Sequence, residues 1–208
     1  MRTSRNLSRI ALFVVGVVTS FQVTGTVVED TVYINRGQML AIDSTYIPYY
    51  AFNATSVFDK ENERLSLLVG DTMSLTVINT DSLTHGVDIK DYLSIDTLIA
   101  AYDTAIVSFT FQDIGVHIYY DHSNAEGYRY MGLGGMITVI DPSLSASPFY
   151  WNIKEHQKSF NQAIDAGLPV DWSTFYPEYF TINGNSNPHI NTDPFARVVG
   201  NVSDTIHI

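Results

Sequence analysis

The chain has 208 residues, 22 of them acidic against 11 basic, for a formal charge of -11, and it contains no cysteine. An apolar share of 45% is ordinary for a globular protein with a sizeable core. The acidic balance argues against nucleic acid and anionic lipid as partners, and the missing cysteine excludes disulfides and any thiolate-bound centre.

Residues Met1 to Arg9 are basic and polar, and Ile10 to Val18 form a nine-residue apolar run too short to span a bilayer. Residues 1–25 therefore read as a secretory signal peptide cleaved within Thr19 to Thr26, with a buried first strand as the alternative. The implied fate is export, to the periplasm or outside the cell, with no membrane contact beyond the leader. Without its three arginines the remainder carries eight basic and 22 acidic residues.

From Val27 onward the pattern is β. Runs such as VVEDTVYI, ERLSLLV, MSLTVIN, TLIAAY and AIVSFTF alternate or cluster apolar residues. Turn signals separate them at Asn35-Arg36-Gly37, Val69-Gly70-Asp71, Asn79 to Ser82 and Asp113 to Gly115. Gly115 to Ile140 reads as a strand, a polar loop from Asp121 to Gly127, and a returning strand, with Gly132, Gly134 and Gly135 allowing a tight fold-back. Many short strands at this spacing predict an all-β Greek-key sandwich over residues 27–142. Strict alternation places His117 on the solvent side of its strand, opposite Val116 and Ile118.

Asp141-Pro142 and the segment PSLSASP close that domain. A linker over 143–179 follows, with one helix expected at Ile153 to Ala166, an apolar face of Ile153, Phe160, Ala163 and Ile164, and a stop at Gly167. Aromatic residues crowd Trp172 to Phe180, which predicts a linker packed down rather than free. An approximate internal repeat relates Asn53 and Asp71 to Asn183 and Asp204, Asp71 and Asp204 at an offset of 133. Residues 180–208 then read as the opening strands of a second domain. Two or three strands cannot build a core alone, so either a longer chain or a partner completes them.

The arrangement G-x-x-x-Y-Y-D-H-S followed by G-L-x-G-x-I-x-V resembles the last hairpin of a plastocyanin-like, cupredoxin domain in multicopper oxidases and two-domain copper nitrite reductases. YFTINGNSNP resembles the opening of the second domain in the same proteins. The resemblance implies a cupredoxin-like Greek-key sandwich, a short helical linker and the first strands of a second cupredoxin domain. It also implies copper as cofactor, with a small-molecule reductant and a homo-oligomer in the complete protein.

Two histidines stand where the resemblance implies ligands, His85 in S-L-T-H-G and His122 in Y-Y-D-H-S. In the oxidase pattern Leu83 and Tyr120 replace the two companion imidazoles. In the nitrite reductase pattern Lys90 replaces a copper histidine, while Tyr120 and Asp121 stand at a histidine and the ligand cysteine. A blue-copper site is impossible without that cysteine. What remains is a candidate copper set of His85, His122 and Asp121, two nitrogens and one oxygen; the alternative is a pair of exposed, unliganded loop histidines. His117, His156, His189 and His207 read as surface residues, and Tyr119, Tyr120, Tyr128 and Tyr130 as strand packing. No catalytic residue is assigned. Two readings follow: the N-terminal part of an exported, copper-dependent oxidoreductase, or a copper-free cupredoxin module for structure or interaction.

Overall fold

Alternation governs the strands that form. In β4 (Thr72–Asn79) Met73, Leu75 and Val77 are buried while the residues between them are only half-buried. The computed structural model describes residues 25–92, 96–124, 126–141, 143, 151–197 and 202. One sheet has the order β2-β1-β4-β7, with β1 at Val27–Leu40, β2 at Tyr46–Asn53 and β7 at Thr104–Thr110. The facing sheet runs β3-β9-β8-β5-β6, comprising Arg64–Leu68, Gly134–Ile140, Gly115–Tyr120, His85–Ile89 and Thr97–Ile99. Its β3 pairs parallel with β9, and the other neighbours run antiparallel. A one-turn helix, α1 (Gly127–Tyr130), fills the loop between β8 and β9.

Between the sheets lie Val32, Ile34 and Phe52 with Val107 and Phe109 from one side, and Leu65, Leu67, Val87, Ile89, Ile137 and Val139 from the other. Each such side chain contributes about 1.5–3 kcal/mol on burial. A second cluster, Met39, Ala41, Ile47, Tyr49 and Ala51, sits on the opposite face of β1 and β2, with Phe58 and Tyr179 packed on it. That second cover explains why β2 is buried almost throughout: both of its faces are dry.

Part of the cover comes from residues 151–197. There β10 (Ile153–His156) pairs antiparallel with β11 (Tyr179–Ile182), and α2 (Lys158–Asp165) packs on β2. Tyr179 donates its hydroxyl to Asp43 Oδ2 at 2.9 Å, Asn161 its amide to the Pro48 carbonyl at 2.9 Å, and Ser186 its hydroxyl to the Leu40 carbonyl at 3.1 Å. The Arg64 guanidinium lies 3.5 Å from the Phe195 ring centroid.

Four expectations are corrected. β1 does not turn at Asn35-Arg36-Gly37: these residues pair with Ala51, Tyr50 and Tyr49 in unbroken register. Gly37 is there for space, since a Cβ on it would lie 2.4 Å from the Phe58 ring. The helix begins at Lys158, because Ile153 to His156 alternate out and in as a strand and Gln157 keeps an extended backbone. His117 faces inward, stacked on Phe111 at 3.8 Å, while its neighbours Val116 and Ile118 are exposed. Tyr119, fully buried and donating to the Glu63 carbonyl at 2.6 Å, sets that parity. His156 is not a surface residue but fully buried. The leader expected over 1–25, all but Gly25, the repeat partner Asp204 and the histidine His207 lie outside the described residues. Among the described residues no helix is long and apolar enough to cross a membrane.

Candidate functional site

The candidate residues meet at one end of the sandwich, where the loop before β5 approaches the loop after β8. Asn79, at the end of β4, shapes the first loop. Its amide donates to the carbonyls of Leu83 at 2.7 Å and Ala100 at 2.9 Å, and its side-chain oxygen accepts the Asp81 N–H at 2.9 Å. This local bonding competes with strand continuation and swings Asp81 beneath His85.

His85 is fully buried and touches a carboxylate at each ring nitrogen. Nδ1 lies 2.6 Å from Asp121 Oδ2, and Nε2 lies 3.1 Å from Asp81 Oδ2. Only an imidazolium donates from both nitrogens. Burial alone would push its pKa down, but the bonds and charges of Asp121 and Asp81 outweigh that, and the ring is held above its ordinary value. For Asp81 burial pushes the carboxyl up, yet the bonds from His85 and the Ser82 N–H, together with Arg36, bring it below the usual carboxylate range. The second oxygen of Asp121 accepts the N–H groups of Gly86 at 2.9 Å and Ser123 at 2.7 Å. The rings of Tyr128 and Tyr50 close over His85 at 4.7 and 5.5 Å.

The charges continue outward. Asp81 Oδ1 is 4.0 Å from Arg36, which donates to Asp165 Oδ1 at 2.9 Å at the end of α2. Asp121, His85, Asp81, Arg36 and Asp165 thus alternate in sign from the buried interior to the surface. Asp81, Arg36 and Asn79 were missed as site residues. The one available signal was an acid four residues before His85, inside a stretch that reads only as a turn.

His122 is close by but separate. Its ring lies over Gly86, where a Cβ would come within 2.7 Å of Cε1 and Nδ1, so only glycine fits beside it. Its Nε2 lies 2.6 Å from Asp96 Oδ1 without hydrogen-bond alignment. Of the residues standing at implied ligand positions, Tyr120 donates its hydroxyl to Asp88 Oδ2 at 2.9 Å, Leu83 packs against the core, and Lys90 is exposed.

A copper ion needs imidazole lone pairs. Both nitrogens of His85 face carboxylates, and both oxygens of Asp121 already accept hydrogen bonds. The structure thus brings His85 and Asp121 together as partners of each other, and their arrangement does not fit a copper ion. Among the described residues no group of three or more His, Cys, Asp or Glu is placed to hold a metal.

No protein-family model matches the sequence, and no curated protein matches it. Solved structures do. A multicopper oxidase, mgLAC, superposes with a TM-score of 0.64 at 17% identity, over 79% of this chain and 55% of its own. A blue copper oxidase from Nitrosomonas europaea gives 0.64 at 19%, over 78% and 55%. A copper nitrite reductase from the same organism gives 0.60 at 18%, over 76% and 56%. At such identities the likeness shows the fold, a cupredoxin-like β-sandwich. The chain spans about half the length of these copper proteins.

Proposed function

We propose that this chain is a cupredoxin module acting as a scaffold in an exported protein built like the multicopper oxidases, with its own ligand position converted from metal binding to structure. The observation that supports this most is the double engagement of His85 by Asp121 and Asp81. An imidazole held as a cation between two buried carboxylates ties two loops together and offers no electron pair. The test is metal analysis of the purified chain after copper loading, with and without His85→Ala. Less than about a tenth of an equivalent in both proteins fits a module with four-ligand chemistry absent. A full equivalent that disappears in the variant would overturn the reading.

A second reading is favoured by the fold shared with copper oxidases and nitrite reductases. Here the complete protein is a copper-dependent oxidoreductase, as a homo-oligomer acting on a small reductant, and its copper ligands lie mostly outside residues 27–142. Histidine pairs or a cysteine followed by histidine and methionine, encoded downstream of Ile208, would favour it. A downstream sequence without them would end it.

A further inference from the structure

β10 presents two basic side chains inward, Lys154 and His156, with Ile153 and Glu155 exposed between them. His156 is fully buried against the rings of Tyr49 at 5.5 Å and Tyr130 at 5.8 Å. Its Nδ1 has no hydrogen-bond partner, and its Nε2 is 3.4 Å from the Thr181 hydroxyl. Lys154 donates to the carbonyls of Gly132 at 2.7 Å and Gly134 at 2.9 Å. Among the described residues no carboxylate bonds either base.

The titratable and charged groups around them are few. Tyr49 comes from β2, and its hydroxyl is also unpartnered; α1 contributes Tyr130, bonded to Gln157, and Arg129, which pairs with Glu126. Glu178, before β11, spends a carboxylate oxygen on the Lys158 N–H. Burial drives the His156 imidazole down to about 3, with the Lys154 charge adding to it, and drives the Lys154 ammonium down to about 7, with Arg129 adding. A second positive charge at this place would be buried, unpaired and next to a like charge.

We propose that residues 151–197 are a proton-released clasp: protonation of His156 in mild acid detaches the β10–β11 hairpin and α2 from β2 while the sandwich stays folded. The contacts the clasp gives up are the face of α2 on β2 and its hydrogen bonds to β1, β2 and Gly132–Gly134, and the pairing of β10 with β11 is marginal as an isolated hairpin, so the local opening costs less than global unfolding. Once detached, the imidazole reaches water and regains its ordinary affinity for a proton. The sign follows from the depressed value in the docked state. The His156 contribution to docking is fully present above about pH 6.5 and is lost as pH falls towards 3. Between pH 7.5 and 4.5 the His156 proton lowers the docking constant about 100-fold, one decade for each unit below the free imidazole value.

The experiment is hydrogen exchange on the full chain at pH 7.5 and 4.5, corrected for intrinsic rates. Opening of the β10–β11 amides rises about 100-fold, while β4 amides stay within about threefold. His156→Leu flattens the response to under about threefold, and Lys154→Met keeps it. Should His156→Leu fail to fold, the ring titration of His156 in the unaltered protein decides. A midpoint near 6.5 with clasp protection unchanged would overturn the proposal, as would equal loss of protection in β4 and β10.

Discussion

Replacing Asp121 by alanine removes the keystone of the His85 clamp. Its side chain is fully buried and accepts from His85 Nδ1 at 2.6 Å, Ser123 N–H at 2.7 Å and Gly86 N–H at 2.9 Å. The variant leaves a buried imidazolium with one carboxylate fewer and two backbone donors to satisfy. Breaking a buried ion pair in this way costs about 3–5 kcal/mol. Against a total stability of about 5–15 kcal/mol that is a large fraction. At about 2–4 °C per kcal/mol for a chain of this size, the melting temperature falls by about 6–20 °C. Urea denaturation followed by circular dichroism at pH 7, in the presence of a chelator, measures the loss. Adding His85→Gln completes a double-mutant cycle, in which the pair couples by about 1–3 kcal/mol. A loss under about 1 kcal/mol for Asp121→Ala, or a coupling within about 0.3 kcal/mol of zero, would refute the clamp as a structural element.

Two further outcomes follow from the same site. Gly86→Ala forces a methyl group to within 2.7 Å of His122 and 3.2 Å of Asp121 Oδ1, and costs about 1–3 kcal/mol in thermal melts. Adding His122→Ala recovers most of that loss, whereas a purely conformational cost would remain. The raised value of His85 makes its contribution to stability complete below about pH 6.5 and lost as pH climbs through the folded-state value. Lys154, depressed to about 7, contributes the opposite slope between about 7 and 10.5. The difference in denaturation free energy between the unaltered protein and His85→Gln cancels the lysine contribution and shrinks with rising pH; a difference independent of pH contradicts the imidazolium assignment.

The two-layer sandwich was legible because its strands obey a period of two. Met73, Leu75 and Val77 point one way whatever surrounds them. The parity of β8 was not legible: Val116, His117, Ile118 and Tyr119 satisfy either phase, and the buried hydroxyl contact of Tyr119 with Glu63 decides between them. β2 escaped notice because a strand dry on both faces carries no alternation, and its second cover comes from residues more than 100 positions later. The same distance hid His156, whose partners Tyr49 and Tyr130 lie on β2 and α1. Of the candidate site, the proximity of His85 to Asp121 was legible from the resemblance. Its chemistry was not. Asp81 reads as one more turn residue until the Asn79 side chain folds the loop and presents a second carboxylate to the imidazole. That one contact gives the imidazole a carboxylate at each ring nitrogen.

The protonation state of His85 is the most direct observable. Nitrogen-15 correlation spectra of the folded chain at pH 7 are expected to show both ring nitrogens carrying protons and coupled to carboxylate acceptors, unchanged when copper is added. A bare Nε2 that broadens with one equivalent of copper would contradict the account.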